Sequence, residues 1–216
     1  MENKISVIKI IQNSSVDGIG LRTAIYCAGC FHGCKNCHNP QTWDINNGKF
    51  VSIEDLYKII MQNPLIKGVT FTGGDPMFQA GAFCELAKMI KANTEKTIWC
   101  YTGFTFEEIV ENRDDKFELL KNIDVLVDGK YIDELCSLSL AFRGSSNQRI
   151  IDVQKSLIVD KIIELPSCLS CGMILGNDFI ERHYSHCWSC YIVKDLKKTF
   201  KPLSPYRPDW FSSKIK

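Results

Sequence analysis

Cys30, Cys34 and Cys37 stand in the spacing C-x3-C-x2-C, directly after an apolar run that reads as a strand. Three thiolates are one fewer than a closed tetrahedral metal site needs. The spacing therefore points to a 4Fe-4S cluster in which one iron has no protein ligand. An open iron can chelate a small molecule through an amine and a carboxylate. S-adenosylmethionine carries both, which would set its sulfonium beside the cluster, where one electron can enter a carbon–sulfur bond. The competing reading is a structural zinc site completed by Cys27. Against it, Leu21 to Cys27 alternates as a strand that puts Cys27 on the face of Thr23 and Ile25, which makes it a core thiol.

Gly73-Gly74-Asp75-Pro76 is the second loaded segment. By itself it reads as a turn. Its position after a strand gives it a further use: paired glycines let the backbone approach a ligand closely, and backbone carbonyls or the Asp75 carboxylate suit an ammonium. A third pattern, Cys168, Cys171, Cys187 and Cys190 in the form C-x2-C-x15-C-x2-C, brings two close pairs of soft ligands onto one tetrahedral metal. Zinc in a structural or docking role is the first reading, an auxiliary iron–sulfur cluster the second, and a rubredoxin-like iron the third.

The elements that must position these residues alternate. Ile5 to Ile11 and Leu21 to Cys27 read as strands around the turn Asp17-Gly18-Ile19-Gly20. Ser52 reads as an N-cap before Ile53, Leu56, Ile59 and Ile60 at helical spacing. A strand from Gly68 to Thr72 runs into the glycine pair, and Phe83, Leu86, Met89 and Ile90 mark a helix. Thr97 to Tyr101 and Ile123 to Val127 are further strands, with short helices around Phe106 to Ile109 and Phe117 to Leu120 between them. Strand–helix alternation implies an α/β fold with a parallel sheet and right-handed crossovers. Both loaded loops then lie at the carboxyl ends of strands, where such folds build their sites. The alternation fades after Gln154, which places a domain boundary near Ser156: residues 1–155 form the α/β domain, 156–200 a metal-binding module, and 201–216 a proline-punctuated extended end.

Among 216 residues, 26 Lys plus Arg balance 25 Asp plus Glu, so overall charge gives no argument for nucleic acid or a membrane surface. Residues 194–216 carry seven basic and two acidic side chains, which a solvated tail explains as well as a polyanion site. Eleven cysteines without a leader-like apolar run in Met1 to Asn13 point to a reducing cytoplasm and metal ligation rather than disulfides. Isolated Cys84, Cys100 and Cys136 default to core thiols. Arg22 is expected either to orient the cysteine loop or to pair with Asp17. Arg143, Ser145, Ser146 and Asn147 supply donors that suit local backbone or a partner's loop.

Five segments in order resemble the anaerobic ribonucleoside-triphosphate reductase-activating proteins of the radical S-adenosylmethionine superfamily. They are Asp17 to Thr23, the cysteine loop with His38-Asn39-Pro40-Gln41-Thr42-Trp43, Phe71 to Pro76, Asp124 to Lys130, and Phe142-Arg143-Gly144-Ser145-Ser146-Asn147-Gln148-Arg149. The resemblance implies a partial (βα) barrel of the radical SAM type, here with a small C-terminal zinc-ribbon-like module. It implies a 4Fe-4S cluster on Cys30, Cys34 and Cys37, and S-adenosylmethionine in contact with Asn36, Cys37, His38 and Gly74, beside Gly73 and Asp75 of the same loop. The implied activity is a 5′-deoxyadenosyl radical that takes hydrogen from a glycine Cα of the reductase large subunit, with a flavodoxin-like protein as electron donor. Many superfamily members carry an aromatic residue where this chain has Asn36, which leaves Phe31 or Trp43 for adenine stacking. The resemblance covers residues 6–154 and supplies no role for the cysteines beyond them.

Two other functions compete. One is activation of a different glycyl-radical enzyme such as pyruvate formate-lyase; the other is a non-enzymatic zinc ribbon that binds nucleic acid. Metal analysis of protein purified without oxygen separates the second. The cluster reading expects about four irons and four sulfides on Cys30, Cys34 and Cys37, and zinc alone would leave only the ribbon.

Overall fold

The structure is a computed structural model, and it describes residues 3–167. The chain divides into two compact units, Met1–Leu165 and Pro166–Lys216. Cys168, Cys171, Cys187 and Cys190 lie outside the described residues. The first unit extends past the boundary expected near Ser156, because Ser156 sits inside a helix and Glu164 bridges back to Ile151 of the sheet.

Seven strands form one sheet: β1 (Lys4–Ser14), β2 (Arg22–Cys27), β3 (Lys49–Ser52), β4 (Gly68–Gly73), β5 (Thr97–Tyr101), β6 (Val125–Asp128) and β7 (Arg149–Asp152), in the spatial order β3-β1-β2-β4-β5-β6-β7. The central pairs β2–β4, β4–β5 and β5–β6 are parallel. The flanks depart from the all-parallel expectation, since β1 runs antiparallel to both β2 and β3, and β7 antiparallel to β6. The cause is connection length and content. A parallel neighbour needs a helix-sized crossover, and neither the turn between β1 and β2 nor the irregular segment between β6 and β7 contains an α-helix.

The helices are α1 (Ile53–Met61), α2 (Ala80–Asn93), α3 (Phe106–Asn112), α4 (Asp115–Leu120) and α5 (Val153–Val159). Ser52 caps α1 by accepting the Asp55 N–H at 3.1 Å, and Ile53, Leu56 and Ile60 form its buried stripe. Thr105 and Glu108 close a capping box on α3. Residues of all five helices join one apolar cluster with Ile25, Cys27, Val69, Phe71, Ile98, Cys100 and Leu126. These strand positions share one face of the pleat. The helices therefore cover that face, and the alternate residues Tyr26, Thr72 and Tyr101 look the other way, onto a cavity. Among the described residues no helix is long and apolar enough to cross a membrane.

Arg22 fits neither of its expected roles. It opens β2, at the end of the strand away from the cysteine loop, and is buried. Its guanidinium donates to Thr70 Oγ1 at 2.8 Å, Val69 O at 2.7 Å, Ile19 O at 3.1 Å, Thr97 Oγ1 at 3.0 Å and Thr97 O at 2.8 Å. Asp17 instead accepts from the Ser14 and Tyr26 hydroxyls. With only neutral acceptors in hydrogen-bond contact, burial pulls Arg22 down to about 10. The fork thus ties together the amino ends of three adjacent strands. An ammonium lacks that planar reach, so Arg22→Lys should lower unfolding free energy by about 2–3 kcal/mol in a urea titration; unchanged stability would show that the fork holds nothing.

Candidate active site

The parallel registers align Cys27 with Gly73, Phe71 with Cys100, and Tyr101 with Val127. Four strands thus end at one edge, and the segments that leave them are the cysteine loop, the glycine pair, Thr102-Gly103 and Gly129-Lys130. Together they enclose an open cavity of about 440 Å³ lined by Cys30, Cys34, Cys37, His38, Gly73, Gly74 and Asp75, with Tyr131, Cys136 and Phe142 on the far side.

The cysteine loop is held by backbone bonds on both sides. Gly29 N–H donates to Thr42 O at 2.7 Å and Cys30 N–H to Trp43 O at 3.0 Å, while Gly29 O accepts from Asp75 N–H at 2.9 Å. Gly74 N–H donates to Cys27 O at 2.8 Å. This close approach requires Gly73: at φ +105° it lies so near β2 that a Cβ would fall 2.6 Å from Cys27 N. Asn39 N–H approaches Cys37 Sγ at 3.4 Å.

Cys27 takes no part in the cavity. It is wholly buried in the apolar cluster, and burial pushes its thiol well above the ordinary cysteine range. The zinc set Cys27, Cys30, Cys34 and Cys37 is therefore not assembled. Among the described residues no group of three or more His, Cys, Asp or Glu is placed to hold a single metal ion. Cys30, Cys34 and Cys37 remain partly exposed on one cavity, a donor set that suits the three protein corners of a 4Fe-4S cluster. Partial burial pushes Cys30 up to about 11, so metal must displace its proton on binding.

The other sequence candidates separate. Cys37, His38, Gly73, Gly74 and Asp75 reach the lining; Asn36 does not. Its amide donates to Asp133 at 2.7 Å, and Lys35 pairs with Glu134 at 2.9 Å, so the loop leans on the 3₁₀ turn Asp133–Leu135. Phe31 and Trp43 line a separate depression with Gly33 and Ile45, leaving Tyr26, Tyr101, Tyr131 and Phe142 as the cavity's aromatic rings. Cys84 and Cys100 are buried, as expected, but Cys136 is exposed and lines the cavity, because it follows that 3₁₀ turn rather than a core strand. Thr102 and Gly103, in the loop that follows β5, donate to Asp75.

The far wall, between β6 and β7, is knitted by its own polar residues. Gln148 Oε1 accepts from Gly144 N–H at 2.8 Å and Ser145 N–H at 3.2 Å, and Gln148 Nε2 donates to Gly129 O at 2.9 Å. Arg143 donates to Gln148 O at 2.7 Å, Ser145 Oγ accepts from Ile132 N–H at 3.2 Å, and Asn147 donates to Lys130 O at 2.9 Å. Of the two roles open to this block, these contacts satisfy local backbone. Tyr131 packs on His38 with ring centroids 4.8 Å apart. No motif marked Tyr131 or Asp133, and the segment that contains Gln148 gave no sign that its amide braces the wall.

The family model described as a 4Fe-4S single cluster domain matches residues 16–151. The anaerobic ribonucleoside-triphosphate reductase-activating protein of Enterobacteria phage T4 is 36% identical over 140 residues, covering 62% of this chain and 86% of that protein. The protein of the same name from Vibrio cholerae is 40% identical over 142 residues, 62% of this chain and 90% of its own. The chain belongs to this family. The Escherichia coli K12 member is 34% identical over 140 residues, 62% of this chain and 89% of its own. A crystal structure of QueE from Escherichia coli aligns with a TM-score of 0.38 at 20% identity, over 47% of this chain and 54% of that one, too little to argue from.

Beneath the far wall, Arg149 bonds Glu107 through both nitrogens, at 2.9 and 2.7 Å, and reaches buried Asp128 through Nε at 3.0 Å. Asp128 also accepts the Phe106 N–H at 2.8 Å, so β6, β7 and α3 meet on one ion network. Arg149→Met strands a buried carboxylate and should cost about 3 kcal/mol near neutral pH. Arg149 holds Glu107 below its ordinary 4.5. A depressed carboxylate stabilises above its unfolded value and loses that contribution as pH falls through the folded one. Glu107 is half-exposed, so its share is small. Urea titrations of both proteins should therefore show the gap narrowing modestly below pH 4.5; a gap that widens there would contradict the pairing.

Proposed function

We propose that this chain is an activating enzyme of the anaerobic, class III ribonucleoside-triphosphate reductase, acting on a glycine in the reductase large subunit. The observation that carries the chemistry is the parting of four nearby cysteines: three thiols share one cavity while Cys27 is withdrawn into the core. Family membership carries the partner.

In this reading Cys30, Cys34 and Cys37 hold a 4Fe-4S cluster and the cavity beside them takes S-adenosylmethionine. When bound, the pair supplies a one-electron cleavage that yields a 5′-deoxyadenosyl radical able to take hydrogen from a glycine Cα. The chain's own residues prepare the place. The Gly73-Gly74 turn, fastened to Cys27 and lacking side chains, lets a ligand lie against the backbone. His38 and Tyr131 close one side as a tilted ring pair. The Gln148 network braces the far wall.

The one-directional order β2, β4, β5, β6 with helices on a single face supports the finer description of a partial (βα) barrel of the radical SAM type. The catalytic unit then ends at Leu165 rather than near Ser156. Beyond it, Cys168, Cys171, Cys187 and Cys190 are proposed to hold zinc as a docking module, on their spacing alone. A low-potential donor such as flavodoxin and an oxygen-poor cytoplasm are the setting a cluster of this kind needs.

The test is direct. Protein reconstituted with iron and sulfide without oxygen, then given reductant, S-adenosylmethionine and an anaerobic ribonucleoside-triphosphate reductase, should produce 5′-deoxyadenosine and a glycyl-radical signal in the reductase by electron spin resonance. Cys34→Ala should lose both. A radical formed instead in a formate-lyase-type enzyme would reassign the partner, and full turnover by Cys34→Ala would refute the cluster.

A further inference from the structure

Asp75 is 1% exposed, and its carboxylate is already occupied. Oδ1 accepts the Met77 N–H at 2.9 Å; Oδ2 accepts the Thr102 hydroxyl at 2.8 Å and the Gly103 N–H at 3.0 Å. His32 Nε2 lies 2.6 Å from the same Oδ2. An ionised carboxylate only accepts, so opposite it His32 Nε2 is the donor of this contact. The carboxylate has about four acceptor positions; here three donors converge on Oδ2 and one meets Oδ1, and burial closes the group to solvent. That leaves Asp75 little to offer the ammonium of a ligand, the use suggested by its place after the glycine pair.

His32 stands between Cys30 and Cys34, yet its ring leaves the loop and enters the protein. It packs against Phe104 at 4.7 Å and Phe78 at 5.3 Å between ring centroids, with its side chain 8% exposed. Gly103 lies flush on it, so that a Cβ there would fall 2.5 Å from His32 Cδ2. One residue therefore joins the cysteine loop to the ends of β4 and β5. We propose that His32 is a positioning residue: bonded to Asp75, its imidazole fixes the cysteine loop against the ends of β4 and β5, and Asp75 serves as the anchor of that loop rather than as a cofactor ligand. The inference rests on the reading that this cavity holds the cluster and S-adenosylmethionine.

Three variants test it. His32→Phe keeps an aromatic ring between Phe78 and Phe104 but loses the bond; His32→Gln keeps an N–H donor; Gly103→Ala presses on the ring from the other side. In the cluster-free chain, amide hydrogen exchange over residues 30–37 should quicken at least tenfold in His32→Phe and in Gly103→Ala, and recover toward wild type in His32→Gln. In reconstituted protein, S-adenosylmethionine, followed by its effect on the reduced cluster's spin resonance spectrum, should bind at least tenfold more weakly to His32→Phe. If Asp75 were instead the ammonium ligand, freeing it from His32 would preserve or tighten binding. Unchanged exchange in both His32→Phe and Gly103→Ala, or cofactor affinity kept in His32→Phe, overturns the proposal. The exchange arm needs no metal, so a wild type that takes up no iron and sulfide defeats the proposed function while loop exchange still judges the anchor. If His32→Phe does not fold, Gly103→Ala decides the exchange arm alone.

Discussion

A carboxylate taken out of water must find donors, and at Asp75 that requirement organises the site. Its partners come from the 3₁₀ turn that follows β4, from the loop after β5, and from the cysteine loop after β2. Each bond is ordinary, but together they leave three strand-end segments only one relative arrangement that satisfies the charge. Bonds to a charged acceptor are worth about 1.5–3 kcal/mol each, so a shift of the cysteine loop away from β4 is costly even before metal binds. The rim is thereby set before any cofactor arrives, which is the condition for holding a reactive group without reorganisation.

The sheet makes this meeting possible. Parallel neighbours put their carboxyl ends side by side, and moving one strand along at each crossover sends every helix to the same face. The opposite face is left for ligand. Arg22 performs at the amino ends of β2, β4 and β5 the task that Asp75 performs at the carboxyl ends: one buried charge pins adjacent strands, through backbone and hydroxyl acceptors at Arg22 and through backbone, hydroxyl and imidazole donors at Asp75. Opposite charges sit at opposite edges of the same sheet, and neither is neutralised by an ionic partner on a strand.

Sequence reasoning read well wherever periodicity carried the information. The helix stripes of α1 and α2, the Ser52 cap and the central strands all lay where alternation and apolar spacing put them, and Cys27 was assigned to the core by the same argument. It read poorly where the determinant was a contact between distant loops. Arg22 looked like a partner for Asp17 because the two are close in sequence; in the fold its guanidinium reaches across to Val69 and Thr97. Cys136 was set among core thiols because nothing near it signals a 3₁₀ turn. The edge strands β3 and β7 are short, four residues each, and have no alternation long enough to register. His32 carried no signal at all, since its importance depends on Asp75 and Gly103, which lie 43 and 71 positions away in the sequence.

The contrast between Cys27 and Cys30 is what favours the proposed open cluster over a closed metal site. Both thiols are pushed upward by burial, yet only one is beyond the reach of metal. Cys27 closes β2 and points with Ile25 into the helix-covered face, where a charged thiolate would have apolar neighbours on every side. Three residues later the chain has left the sheet through Gly29 at φ +90°, and Cys30 faces the cavity. A fourth protein sulfur is available in sequence but held on the wrong face of the pleat. Bringing it across would require flipping the end of β2 and breaking its register with Gly73. In the proposed reading, strand geometry would thus leave one corner of the cluster without a protein sulfur, free for a ligand that is not part of the chain.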